Sequence, residues 1–77
     1  MTNFKRTDDW RIKINGIEHG VPHVHVEFRD GSRVVVSIET RLILAGGVSP
    51  AKRLNEALAD IKANKSTYLN EYQRLNP

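Results

Sequence analysis

The stretch Pro22-His23-Val24-His25-Val26-Glu27-Phe28-Arg29-Asp30-Gly31-Ser32-Arg33-Val34-Val35-Val36-Ser37-Ile38 decides the fold. Its first half alternates. Val24, Val26 and Phe28 fall on one face, and His23, His25 and Glu27 on the other, which is the period of a half-buried strand. Residues 33–38 are rich in β-branched side chains and make the next strand. The connection sets the register. A two-residue turn at Asp30-Gly31 would put Phe28 opposite Arg33 and His25 opposite Val36, mixing apolar with polar faces. A three-residue loop, Arg29-Asp30-Gly31 with Gly31 left-handed, pairs Val26 with Val34 and Val24 with Val36. It also sets Glu27 opposite Arg33, a favourable cross-strand ion pair, and leaves His25 beside Val35 and His23 beside Ser37.

Outward from this hairpin, Trp10, Ile12 and Ile14 alternate with Arg11 and Lys13, so a strand precedes it. Asn15-Gly16 and Gly20-Val21-Pro22 mark the turn and loop between the two. Residues 1–9 read as a flexible lead-in, with Asp8-Asp9 solvated. Residues 41–44 read as a short fourth strand ended by Gly46-Gly47. Ser49-Pro50 reads as a helix start, with serine capping the free amides and proline at the first helical position. Leu54, Ala57, Leu58, Ile61, Tyr68, Leu69, Tyr72 and Leu75 keep a helical period, interrupted at Asn64-Lys65-Ser66.

The expected architecture is α+β: an antiparallel three- or four-stranded sheet with a C-terminal helix, kinked or split, on one face. A single domain spans residues 10–77. The expected core is Trp10, Ile12, Ile14, Val24, Val26, Phe28, Val34, Val36, Ile38, Leu54, Leu58, Ile61 and Leu69, with Tyr68 and Tyr72 sealing the helix on the sheet. The opposite face would carry Arg11, Lys13, His23, His25, Glu27, Arg33 and Ser37, an open basic surface.

Composition narrows the function classes. The 77-residue chain has no cysteine, which excludes disulfides, thiolate metal sites and thiol redox chemistry. No apolar run approaches the length that crosses a bilayer, and no signal-peptide pattern opens the chain, so a cytoplasmic protein without membrane contact is expected. The net charge of +3 permits nucleic-acid contact without demanding it, because the basic residues are dispersed.

The chemistry-bearing feature is a histidine cluster. Side chains two apart on a strand point the same way, so His23 and His25 can converge on one ligand, and His19 can fold back from the preceding loop. Three imidazoles suit a divalent transition metal such as Zn or Ni, with Glu18 or Glu27 adding a carboxylate. His23 and His25 could instead divide general-base and general-acid roles on RNA, with Arg11, Lys13 or Arg33 holding the phosphate. Against both stands a plain structural role, in which each histidine bonds loop carbonyls or packs at the start of the strand.

The segment Glu18-His19-Gly20-Val21-Pro22-His23-Val24-His25-Val26 resembles the small bacterial proteins grouped as domain of unknown function 4160. That family is marked by a polar residue plus histidine, a short loop, and Pro-His-x-His-Val leading into a strand. The strand from Trp10, the Gly47-Val48-Ser49 step and the closing helix fit as well, so the resemblance covers roughly residues 10–75. Two features depart from it: Val21-Pro22 where two prolines are frequent, and Tyr68 and Tyr72 where a late tryptophan is frequent. The resemblance implies a fold and a candidate site rather than an activity. It also implies a partner protein encoded nearby, in an arrangement like a toxin–antitoxin pair.

Two functional expectations follow. The first is a non-enzymatic binding or regulatory module, docking a protein partner or RNA through a face formed by Arg11, Lys13, His23, His25, Glu27 and Arg33, or through an exposed strand edge. The second is a metal-binding or ribonuclease-like site at His19, His23 and His25.

Overall fold

The computed structural model describes residues 2–16 and 20–76. Five strands form one antiparallel sheet in chain order: β1 (Thr2–Arg6), β2 (Trp10–Ile14), β3 (His23–Phe28), β4 (Arg33–Ser37) and β5 (Ile43–Gly47). A 3-10 turn (Ala51–Leu54) leads into α1 (Asn55–Ala63) and α2 (Lys65–Leu75). Every connection within the sheet is a local hairpin or short loop, so no strand crosses another.

The central hairpin has the register expected from its sequence. His23 pairs with Ser37, Val24 with Val36, His25 with Val35, Val26 with Val34 and Glu27 with Arg33. Gly31 takes φ +92°, the Phe28 amide donates to the Ser32 carbonyl at 2.8 Å, and the Ser32 amide donates to Asp30 Oδ1 at 3.0 Å. A left-handed residue at the third loop position is what a strand-matched three-residue hairpin requires, and glycine adopts it without a Cβ clash.

The α+β class and the divided C-terminal helix stand as expected, and the sheet is one strand wider. Residues 2–6, assigned to a lead-in, pair with β2 as an edge strand. A register shift between Asn3 and Lys5 breaks the alternation that would have marked the strand in sequence. The turn back is closed at Thr7: its amide donates to the Trp10 carbonyl at 2.8 Å, and its hydroxyl accepts from the Trp10 amide at 3.2 Å. The fourth strand of the reading, residues 41–44, lies later in the chain, at Ile43–Gly47. Arg41, at φ +60°, turns the chain into it.

The helix start differs more. Pro50 is the residue before the 3-10 turn, not the first helical residue, and no side chain caps it. The Ser49 carbonyl instead accepts a bond from Arg53. The helix divides at Asn64, whose side chain donates back to the Asp60 carbonyl at 3.1 Å. A side chain that competes for helical carbonyls is a local reason for α1 to end there.

One sheet face buries Trp10, Ile12, Ile14, Val24, Val26, Phe28, Val34 and Val36 beneath Leu54, Ala57, Ile61, Tyr68 and Tyr72, with Ile38 joining from beyond β4. Leu58 and Leu69, expected in this core, pack against it half-buried. Tyr68 is fully enclosed, and its hydroxyl donates to Asp60 Oδ2. Burial, reinforced by that bond, holds the phenol protonated well above its ordinary range.

Arg53 ties the helical layer to two sheet loops. Its guanidinium bonds Asp30 at 2.8 Å and Asp9 at 3.1 Å and lies 5.1 Å above the centre of the Phe28 ring. The Arg53 guanidinium, then the Ser32 amide, hold the Asp30 carboxyl far below the usual carboxylate range.

Candidate functional site

The sheet face away from the helices is organised in rows, because antiparallel partners share a face. One row runs Arg6, Arg11, Glu27, Arg33 and Gly47 across the five strands. The next runs Lys13, His25, Val35 and Ala45. Glu27 is the hub of this face. Arg11 reaches it at 2.8 Å and Lys13 at 3.3 Å. The Arg11 bond, then that from Lys13, keeps the Glu27 carboxyl below its usual range against the opposing effect of desolvation. Lys13 is thereby drawn in, with only 12% of its side chain exposed, whereas Arg11 keeps 41%. Arg6, Arg29 and Arg33 are exposed.

An open cleft of about 360 Å³ lies at the Arg6 end of this face, lined by residues 6–11 and 27–29. Its lining carries the guanidinium groups of Arg6, Arg11 and Arg29 and the carboxylates of Asp8, Asp9 and Glu27.

The two strand histidines have different surroundings. His25 is half-buried between Lys13 and Val35. His23 is buried, with 8% exposed. Its Nδ1 lies 2.8 Å from the Val21 carbonyl, which can only accept, so Nδ1 carries a proton. The ring lies 5.2 Å from that of His25, edge to face, and 5.6 Å from that of Tyr72 on α2. His23 therefore joins the end of the open face to the helical layer. His19 and Glu18, the other members of the expected cluster, lie outside the described residues. Among the described residues no three His, Cys, Asp or Glu side chains gather as a metal site would need.

A second surface stands at the other edge of the sheet. Val21, Leu42, Ile43 and Leu44 are the exposed large apolar side chains among the described residues, each 47–64% exposed. Backbone bonds bring Val21 and Leu42 to the same end of β4, with Ile43 and Leu44 following on β5. The Ile38 amide donates to the Pro22 carbonyl, next to Val21, and the Ser37 amide donates to the Leu42 carbonyl. The β5 strand is paired on one side only and is exposed along its length. Residues 42–48 contain no charged side chain and no proline, the usual protections of a sheet edge.

Residues 10–73 match the family model described as a domain of unknown function (DUF4160). The chain belongs to the DUF4160 family. No curated protein and no solved structure matches it. The DUF4160 match takes in β2 to β5 and both helices up to Gln73, so the hairpin Val24–Val36, both histidines of the strand and the apolar corner lie within it. Strand β1 lies before it, and Arg6 is therefore a contribution of this chain outside the DUF4160 span.

Sequence reasoning missed Arg6 and the corner at β5. Arg6 was hidden by the register shift in β1. The corner was partly legible, since Leu42-Ile43-Leu44 is an apolar run, but only the register shows that nothing described covers it. Tyr72 was read as sealing the helix on the sheet, and its approach to His23 needed the fold.

Proposed function

We propose that this DUF4160 chain is a non-enzymatic binding module that docks a partner protein by strand addition at β5, as one half of a bacterial pair of the toxin–antitoxin kind. The observation that supports this is the set of exposed apolar side chains Val21, Leu42, Ile43 and Leu44 beside an edge strand that carries neither charge nor proline. An added strand gains backbone hydrogen bonds from the edge, and exposed apolar side chains supply the hydrophobic anchors such interfaces need. The partner to test is the product of the neighbouring reading frame, co-expressed and purified with this chain. Leu42→Asp with Leu44→Asp should weaken that complex at least tenfold, about 1.4 kcal/mol, measured by titration calorimetry. Undiminished binding by the double variant would remove β5 as the docking edge.

A second reading, a transition-metal site, has one observation in its favour. Two imidazoles that share a metal at about 2.1 Å through Nε2 place their ring centres about 5 Å apart. The His23 and His25 rings are 5.2 Å apart, and His23 Nδ1 is engaged by the Val21 carbonyl, so a metal would be taken through Nε2. That spacing is the support for a metal shared by His23 and His25, with His19 the candidate for a third ligand. Titration with Zn²⁺ and then Ni²⁺, followed by NMR, should give saturable shifts of the His23 and His25 rings at micromolar metal. His25→Ala should abolish them. Diffuse or millimolar shifts would leave the pair a structural element.

A further inference from the structure

The open sheet face has an arrangement that the module reading does not use. Cross-strand pairing sets Arg6 directly opposite Arg11. Like charges so placed repel, and a sheet tolerates them best where an anion lies between them. Arg29 lines the same cleft, and Arg33 continues the row beyond Glu27. Arg6, Arg11, Lys13, Arg29 and Arg33 share this region with a single strand carboxylate, Glu27. The rest of the chain then holds seven basic and eight acidic side chains. Asp8 and Asp9 stand at the rim of the cleft, and Asp9 is already bound to Arg53 from the helical side. With Asp8 and Asp9 counted, five basic and three acidic side chains gather here, so this region carries +2 of the chain's net +3.

We propose that Arg6, Arg11, Arg29 and Arg33 grip the phosphates of a nucleic-acid strand laid across this face at the cleft. The forked guanidinium is suited to phosphate oxygens, and four of them run across four adjacent strands or their loops. A protein partner is the poorer fit here. Protein interfaces centre on buried apolar anchors, and the apolar side chain this face offers in the two rows is the half-buried Val35, with Ala45 at the edge. Backbone binding of a polyanion needs charge and no such centre. Trp10, Phe28, Tyr68 and Tyr72 are all buried in the core, so the bases find no stacking platform among them and the strand is held without regard to sequence. Glu27 moderates the grip by holding Arg11.

The test is fluorescence anisotropy of the full chain with a labelled 16-nucleotide oligouridine at several salt concentrations, with unlabelled oligothymidine and a polyglutamate peptide as competitors. Four phosphate contacts on a single strand predict a slope of log K against log salt of about −3. Arg6→Glu with Arg33→Glu should weaken binding at least tenfold, and Lys62→Glu, on the helical layer, less than twofold. Glu27→Gln should tighten binding severalfold, a gain that loss of folding cannot imitate. Oligothymidine should compete about as well as oligouridine, and polyglutamate poorly. The proposal is overturned by no binding at low salt, or by equal losses from the face and Lys62 variants, which would reduce the effect to net charge. It is also overturned by polyglutamate competing as strongly as RNA, which would make the face a site for an acidic protein segment. Every arm is independent of β5, so failure of the strand-docking reading leaves this one standing, and the reverse.

Discussion

Tyr68→Ala is expected to lower the unfolding free energy by about 3–5 kcal/mol, the usual cost of deleting a buried aromatic ring. Tyr68 has no exposed surface and is the largest of the fully buried side chains. It sits where α2 meets the sheet core, with its hydroxyl on Asp60 of α1, so its ring and its polar tip hold different elements. A domain of this size has a thin stability margin, so the loss will leave much of the protein unfolded at 37 °C. Tyr68→Phe separates the two contributions. It keeps the ring, drops the hydrogen bond and should cost about 1 kcal/mol. Urea unfolding followed by circular dichroism measures both. An alanine variant within 1 kcal/mol of the parent would mean that the helical layer is not anchored through this ring.

The second large effect falls on the edge strand. Gly46 has φ +75°, a conformation side chains rarely adopt, and a Cβ there would overlap the backbone carbonyl of Arg33 on β4. Backbone cannot swing aside as a side chain can, so Gly46→Ala must lift β5 from β4 or distort both. The expected cost is about 3 kcal/mol or more, combining left-handed strain with a steric clash. Gly47→Ala is the matched control, because a Cβ at Gly47 meets nothing within 4 Å. Thermal unfolding should separate the two variants clearly. Amide exchange should show lost protection along β4 and β5 in Gly46→Ala alone. Because β5 is also the proposed docking edge, that variant should lose the partner even at temperatures where the core survives. Protected β5 amides in Gly46→Ala would show that the strand accommodates the change and that its close approach to β4 is not required.

These two positions differ in how far they could be read in advance. Tyr68 sits on a helical period of apolar residues, so its burial was legible, although Leu58 and Leu69 on the same period remain only half-buried. A stripe states which side of a helix faces inward, not how deep each position lies. Depth depends on where α1 and α2 cross the sheet and on the break at Asn64. Gly46 read only as the end of a strand. Its close approach to Arg33 belongs to the pairing of β4 with β5, where a register shift at Val35 and Val36 displaces the alternation.

The candidate surfaces divide in the same way. His23 and His25 were placed on one strand by a spacing of two, and alternation puts Glu27, Arg11 and Lys13 on one face; the ion pair expected for Glu27 was with Arg33, and its bonds to Arg11 and Lys13 come from the pairing of β2 with β3. The deep seat of His23 against Tyr72 comes from a helix distant in sequence. Ser49 looked like a cap because serine before proline commonly starts a helix, yet its carbonyl serves Arg53, whose other bonds reach Asp9 and Asp30. Contacts of that span leave no local pattern.

By itself the sequence determined the alternation of β2, β3 and β4, the left-handed loop at Gly31, the register of the central hairpin and the division of the last helix. Each of these depends on side-chain period or on backbone preference within a few residues, where a wrong choice would turn apolar groups to water. The tertiary structure alone decided that residues 2–6 join the sheet, that Arg6 faces Arg11, and that Leu42, Ile43 and Leu44 stand exposed at an edge. Those outcomes depend on which elements lie beside one another and which face is left uncovered, and burial of the shared core settles that for the chain as a whole.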